Sequence, residues 1–175
     1  MRALLPPTVT TLIAVLFQLT VSLQAEPSAV SIRVEQANKS DMDGKDRFSR
    51  DHVRTLNIFV TNNSGEQLDL KVKHIVFGRD MVHHDLTTVG EGEKAVTVKP
   101  HGAEKVETPA AKSNSTEQHY DAKAKKKIEA SGATIIGSGV QVMQGEKLVA
   151  EWYDPMSLKE SWGKTIKPST PAPKK

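Results

Sequence analysis

The sequence contains no cysteine. Disulfide staples, zinc–cysteine centres, iron–sulfur clusters and thiol chemistry are therefore excluded together. Aromatic residues are scarce at 5%, so a core has to be built from Val, Ile and Leu. An excess of one charge is also missing. The 24 basic and 21 acidic side chains leave +3 over 175 residues. Arg2 is the only charge in residues 1–25, so the remainder carries 3 − 1 = +2. That is too little to mark a nucleic-acid footprint.

Long apolar runs are lacking beyond the N-terminus. Met1 and Arg2 give a short positive start, Leu12 to Val21 is mostly apolar, and Leu23-Gln24-Ala25 offers a small residue at a cut. This is the three-part pattern of a secretory signal. A membrane anchor needs about 20 apolar residues, and Pro6, Pro7, Thr8, Thr10, Thr11 and Gln18 break the run. With no cysteine at the cut, lipid attachment is excluded. The expected organisation is a cleaved signal peptide over 1–25, one β-sandwich domain over 26–163 and a disordered Pro/Lys tail over 164–175. The expected location is periplasmic or secreted, with no membrane span after cleavage.

What the chain does have is period-two alternation, which sends successive side chains to opposite faces of a strand. Val30, Ile32 and Val34 alternate with polar residues, as do Leu56, Ile58 and Val60, and then Leu68, Leu70 and Val72. Asn62-Asn63-Ser64-Gly65 reads as a turn. At Ile75-Val76-Phe77 the phase blurs, which predicts a bulge or burial of both faces near His74. Val96 and Val98 predict a short strand stopped by Pro100, and Val106 another before Pro109. The polar stretches 36–51 and 110–132 read as loops.

The clearest hairpin flanks Gly145-Glu146, where a glycine in first position suits a type II′ turn. That register pairs Met143 with Leu148, Gln141 with Ala150 and Gly139 with Trp152, laying an indole over a cross-strand glycine. Both faces of the hairpin are partly apolar, and the pattern does not say which is core. One helical turn is expected after it, capped by Asp154, begun at Pro155 and ended by Gly163, with Leu158 and Trp162 on one face.

Motifs that carry chemistry are weak. Asp41-Met42-Asp43-Gly44-Lys45-Asp46 clusters carboxylates around a glycine, but an EF-hand loop would want glycine where Asp46 stands and glutamate where His52 stands. It reads as a solvated loop. His83-His84-Asp85 would point adjacent imidazoles to opposite faces, and nothing fixes a third ligand. His52, His101 and His119 stand alone. Gly137-Ser138-Gly139 lacks the nucleophile-elbow pattern. Lys123 to Lys127 is basic but flanked by Asp121 and Glu129. Asn38-Lys39-Ser40, Asn62-Asn63-Ser64 and Asn114-Ser115-Thr116 match the N-glycosylation pattern. No catalytic residue, metal site or cofactor is expected, and the chain reads as a non-enzyme.

Three segments carry a resemblance: VTNNSGEQLDLKVKHIVF (Val60 to Phe77), VTVKPHGAEKVET (Val96 to Thr108) and GVQVMQGEKLVAEWYDP (Gly139 to Pro155). Together they resemble small exported bacterial immunoglobulin-like β-sandwich proteins of uncharacterised function, over most of residues 29–160. The resemblance implies an antiparallel sandwich of about seven strands and supplies no catalytic residues. The expected function is an exported, non-catalytic binding or structural module of the cell envelope. A carbohydrate-binding or adhesin-type module is the alternative, and a hydrolytic enzyme stands last. The expected partner is an envelope protein or polysaccharide, not nucleic acid. The residues expected at a protein or glycan contact are Trp152, Tyr153 and Trp162.

Overall fold

A computed structural model describes residues 28–43 and 46–164. The signal-peptide reading and nearly all of the expected tail fall outside these residues. The described chain is an antiparallel β-sandwich of ten strands and one short 3₁₀ turn. The strands are β1 (Val30–Asp43), β2 (Asp46–Asn62), β3 (Leu68–Asp80), β4 (Leu86–Val98), β5 (Ala103–Glu107), β6 (Ala111–Thr116), β7 (His119–Asp121), β8 (Lys126–Ile128), β9 (Ser131–Gln144) and β10 (Lys147–Asp154).

One layer runs β1–β2, with β5 and β6 sharing the far edge of β2. The other runs β4–β3–β9–β10. With β7 and β8 set apart as a small ribbon, and β5 and β6 counted as one interrupted edge, seven strand positions make the sandwich. The layers join at one corner, where Ser115 and Thr116 of β6 pair with Gly132 and Ser131 of β9.

The alternation predicts the core well. Val30, Leu56, Ile58, Val60, Leu68, Leu70, Val72, Val98 and Val106 are buried, with Val140 and Val142 from β9 facing them. The blurred phase at Ile75–Phe77 has both expected causes. The register of β3 shifts against β4 after Val76 and against β9 after Phe77. Phe77 is also fully buried although it lies on the outer face.

Several expectations need correction. Residues 36–51 are not a loop: β1 and β2 continue as one long hairpin whose register runs on through Met42↔Arg50. Residues 110–132 hold β6 and the β7–β8 ribbon. The strand expected at Val96–Val98 extends back to Leu86; its Gly90-Glu91-Gly92-Glu93 stretch hides the pattern because glycine supplies no apolar side chain to count. In the last hairpin, Leu148 does pair with Met143, and Gly145 has the positive φ (+59°) that the turn requires. One residue later the register slips: Ala150 pairs with Val142, Trp152 with Val140 and Tyr153 with Gly139. It is therefore Tyr153, not Trp152, that covers Gly139. Val149 is the extra residue of a bulge, and a slip by one flips every following side chain to the other face.

The slip settles which face is core. Val140, Val142, Ala150 and Trp152 line the interior, and Trp152 packs against the core cluster while staying partly exposed. The opposite face of β9 and β10 presents Gly137, Gly139 and Tyr153. It is covered by the 3₁₀ turn Met156–Ser161, whose Leu158 is buried. Pro155 is the N-cap residue, and no side chain caps the turn. Asp154 does not cap it because it pairs with Ser138 on the interior-facing row, where its carboxylate accepts a hydrogen bond from Gln36 Nε2 of β1 (2.7 Å).

Candidate functional site

The outer face of the four-stranded layer is built in rows, because directly paired residues share a face. One row across β4, β3, β9 and β10 is Glu93, Lys73, Gln141 and Glu151. The next is Glu91, Ile75, Gly139 and Tyr153. Over the second row stands Trp162. A methyl group placed on Gly139 would lie 2.8 Å from Tyr153 Cδ1 and 3.0 Å from Trp162 Cζ3. Glycine is what lets two aromatic rings rest on the sheet there. One row further, Gly137 admits Leu158 in the same way, with a hypothetical Cβ only 2.3 Å from Leu158 Cδ1.

Between Trp162 and β4 lies an open groove of about 320 Å³, lined by Lys73, Ile75, Glu91, Glu93, Trp162 and Gly163 together with His74 and Gly92. Trp162 forms one wall. It is held edge-to-face against Tyr153, with centroids 5.8 Å apart. Tyr153 is buried, and its hydroxyl accepts a hydrogen bond from Gln141 Nε2 (2.8 Å). Burial pushes the Tyr153 phenol above its ordinary value, the Gln141 donor works against this, and the Glu151 carboxylate adds to it. Glu151 is paired with Lys159 of the turn, which holds the lysine above its ordinary value. Lys71 reaches Glu93 at 3.4 Å. Burial lowers His74, with Glu91 partly opposing, and its ring lies beside Gly92 on the interior side.

The three aromatics expected at a contact surface are thus split. Trp152 faces the interior, Tyr153 is buried beneath the turn, and Trp162 borders open space. Lys73, Glu91, Glu93 and Gln141 were not singled out in the sequence. Lys73 and Gln141 had a usable signal, since alternation already pointed them away from the apolar set.

The other candidate motifs have internal partners. Asp46 accepts hydrogen bonds from Phe48 N–H and Ser49 Oγ (both 3.0 Å) and stands 3.9 Å from His119 Nε2. Asp80, beside His83 and His84, accepts from the backbone of Val82 and His83, and these bonds hold its carboxyl below the usual range. Asp121 likewise caps the turn that carries Lys123 and Ala124. Among the described residues, no three His, Asp or Glu side chains gather as metal ligands. His52 Nε2 lies 2.9 Å from Ser115 Oγ, but its Nδ1 faces Ser40 Oγ at 3.4 Å instead of a carboxylate, and Ser115 is buried. Of the three glycosylation patterns, Asn62 is fully buried. It donates to the carbonyls of Glu66, Val98 and Lys99, and accepts from Ser64. Its role is to tie two turns together.

No family model matches the chain, and no curated protein matches it. Solved structures do. A β-glucosidase from Streptomyces venezuelae is similar over 71% of this chain and 14% of its own, with 12% identity and a TM-score of 0.30. A β-glucuronidase of glycoside hydrolase family 2 is similar over 74% and 11%, with 14% identity and a TM-score of 0.33. A protein from Akkermansia muciniphila is similar over 80% and 78%, with 17% identity and a TM-score of 0.32. This chain therefore spans only a small part of either glycosidase, and what those enzymes do is said of them alone.

Proposed function

We propose that this chain is an exported, non-catalytic binding module of the cell envelope, related to small immunoglobulin-like sandwich proteins, and that it engages its partner at the groove beside Trp162. The observation that carries this reading is the convergence there of an open groove, an indole wall and a row of polar side chains on a rigid sheet. Binding sites combine apolar surface with a few placed polar groups in this way. The charged N-terminal start followed by an apolar stretch supports export.

The test is affinity capture from envelope extract by the exported protein, beside a Trp162→Ala variant with unchanged circular dichroism. A partner retained by the first and lost by the second is the expected result. Equal capture by both sinks the groove as the contact surface.

A hydrolytic reading has one observation in its favour: Glu91 and Glu93 both line the groove. Two residues apart on one strand, their backbones are separated by about 7 Å on the same face. Acid–base cleavage of a glycosidic bond wants two carboxyls flanking the bond, whereas these rise from one side of the groove. A reducing-end assay on polysaccharides is expected to show no release; turnover lost in Glu91→Gln or Glu93→Gln would replace the binding reading.

A further inference from the structure

The side chains of the groove specify the chemistry of what fits it. We infer that the groove beside Trp162 is a saccharide subsite that takes a neutral pyranose unit within a polysaccharide chain. This rests on the binding-module reading and adds the ligand class.

A pyranose ring has an apolar C–H face and a rim of hydroxyls, each able to donate and accept. Trp162 stands upright on Gly139, its ring held by Tyr153, and forms a wall of the groove. That is a flat apolar surface whose π face is electron-rich. Ile75 continues the apolar floor. Along the next row run a carboxylate and an ammonium that line the groove, Glu93 and Lys73, followed on the neighbouring strand by a carboxamide, Gln141. They supply acceptor-only, donor-only and mixed groups, the set that a line of hydroxyls can satisfy from either direction. Gln141 has its amide nitrogen fixed on Tyr153, so its carbonyl oxygen is pre-set.

Other ligand classes fit less well. An apolar side chain would strip water from Lys73 and from Glu93, which keeps only its ion pair with Lys71. An anionic ligand would meet two carboxylates against one lysine in the groove lining, a net repulsion. The volume of about 320 Å³ stands at the lower end of the roughly 300–1,000 Å³ of small-ligand sites. Its open form suits a unit inside a chain better than an enclosed end.

The two tryptophans make the test direct. Trp152→Phe leaves Trp162 as the only indole. The exported protein carrying that change is titrated with cellohexaose, maltohexaose, xylohexaose and chitohexaose, with polygalacturonate as the acidic control. At least one neutral hexamer is expected to change Trp162 emission saturably. By calorimetry on the otherwise unaltered protein, Trp162→Ala and Lys73→Ala should each weaken that binding about tenfold or more, the loss that follows removal of one well-placed contact. Lys73→Ala lies on a solvent-facing position of β3, so it keeps the measurement decisive if Trp162→Ala disturbs the turn. Silence from all four hexamers, binding that survives both substitutions, or tighter binding of polygalacturonate would each overturn the inference. If the hexamers fail while extract capture still depends on Trp162, only the saccharide class falls. If capture fails too, the binding-module reading falls with it.

Discussion

The β1–β2 hairpin is one continuous ladder held in two different ways. In its body, from Val30 to Gln36 and from Leu56 to Asn62, alternate side chains enter the core, and Leu56, Ile58 and Val60 are fully buried. In its distal arm the backbone pairing continues unbroken as far as Met42↔Arg50, but the side chains touch mostly through polar atoms. Ser49 meets Thr116 at 2.9 Å, His52 meets Ser115 at 2.9 Å, and Asn114 donates to Asp51 at 2.8 Å. Phe48 stacks on His119 at 4.1 Å. Between the two parts lies Arg54, which donates to Asn38 Oδ1 (2.7 Å) on its own layer and to Ser138 Oγ (3.1 Å) on the other. Burial lowers this guanidinium from its ordinary value, with Asp154 opposing. The same hydrogen-bonded ladder can thus rest on apolar burial or on side-chain pairs, and only the first leaves an alternating pattern.

The sharpest break of this contrast is in the body. Ile58→Ala should destabilise the whole sandwich by about 2–5 kcal/mol, read from the urea midpoint with an unchanged slope. Next comes the one polar residue that the body buries completely. Asn62→Ala strips the partners from three backbone carbonyls and is expected to cost about 2–3 kcal/mol; a smaller loss would mean that water replaces the side chain.

Acid should separate the two parts by a different route. Burial holds His74, on β3 across the core from the body, and His52 in the arm below the ordinary imidazole value. The unfolded imidazole titrates near about 6.5. Above that pH the contribution of the neutral rings is complete. As the pH falls below it, the unfolded chain takes up protons that the folded chain resists, and stability drops. The melting temperature should therefore hold from pH 8 to 7 and decline toward pH 5. His74→Gln should flatten the decline, while His52→Gln should alter amide exchange in the arm with little effect on global melting. The smallest effect belongs to Ser49→Ala, about 1–2 kcal/mol for the two hydrogen bonds its hydroxyl makes with Asp46 and Thr116. It should appear as faster exchange at residues 46–52 before any global change.

The same contrast explains how much could be read from the sequence. Val30–Val34, Leu56–Val60 and Leu68–Val72 are legible because one face of each is buried and the other is wet. The arm was read as a loop because Gln36, Asn38, Ser40 and His52 occupy the interior-facing phase without being apolar. The stretch Gly90–Lys94 was missed for a related reason: its inward positions carry glycines and a lysine, and Ala111 and His74 pack where side chains are absent. The site was half legible. Trp162 and its turn were expected to share a face with Leu158. The polar row facing them depends on pairing across four strands, information that no single segment carries. Trp152 was misplaced by one extra residue that no local pattern announces.

That extra residue makes the last strand a question of parity. With Val149 as the bulge, odd-numbered positions of β10 from Glu151 onward face outward and even ones face inward. Removing the extra residue would leave those pairs standing, because Leu148↔Met143 and Ala150↔Val142 already use consecutive residues of β9. Closing the bulge with every residue kept is what would turn the strand over, setting the Trp152 indole opposite Gly139 on the side where Trp162 stands and the Tyr153 phenol toward the aliphatic interior. Val149 itself packs against the core cluster, so the identity of its side chain bears on the bulge, and through it on both rings at once.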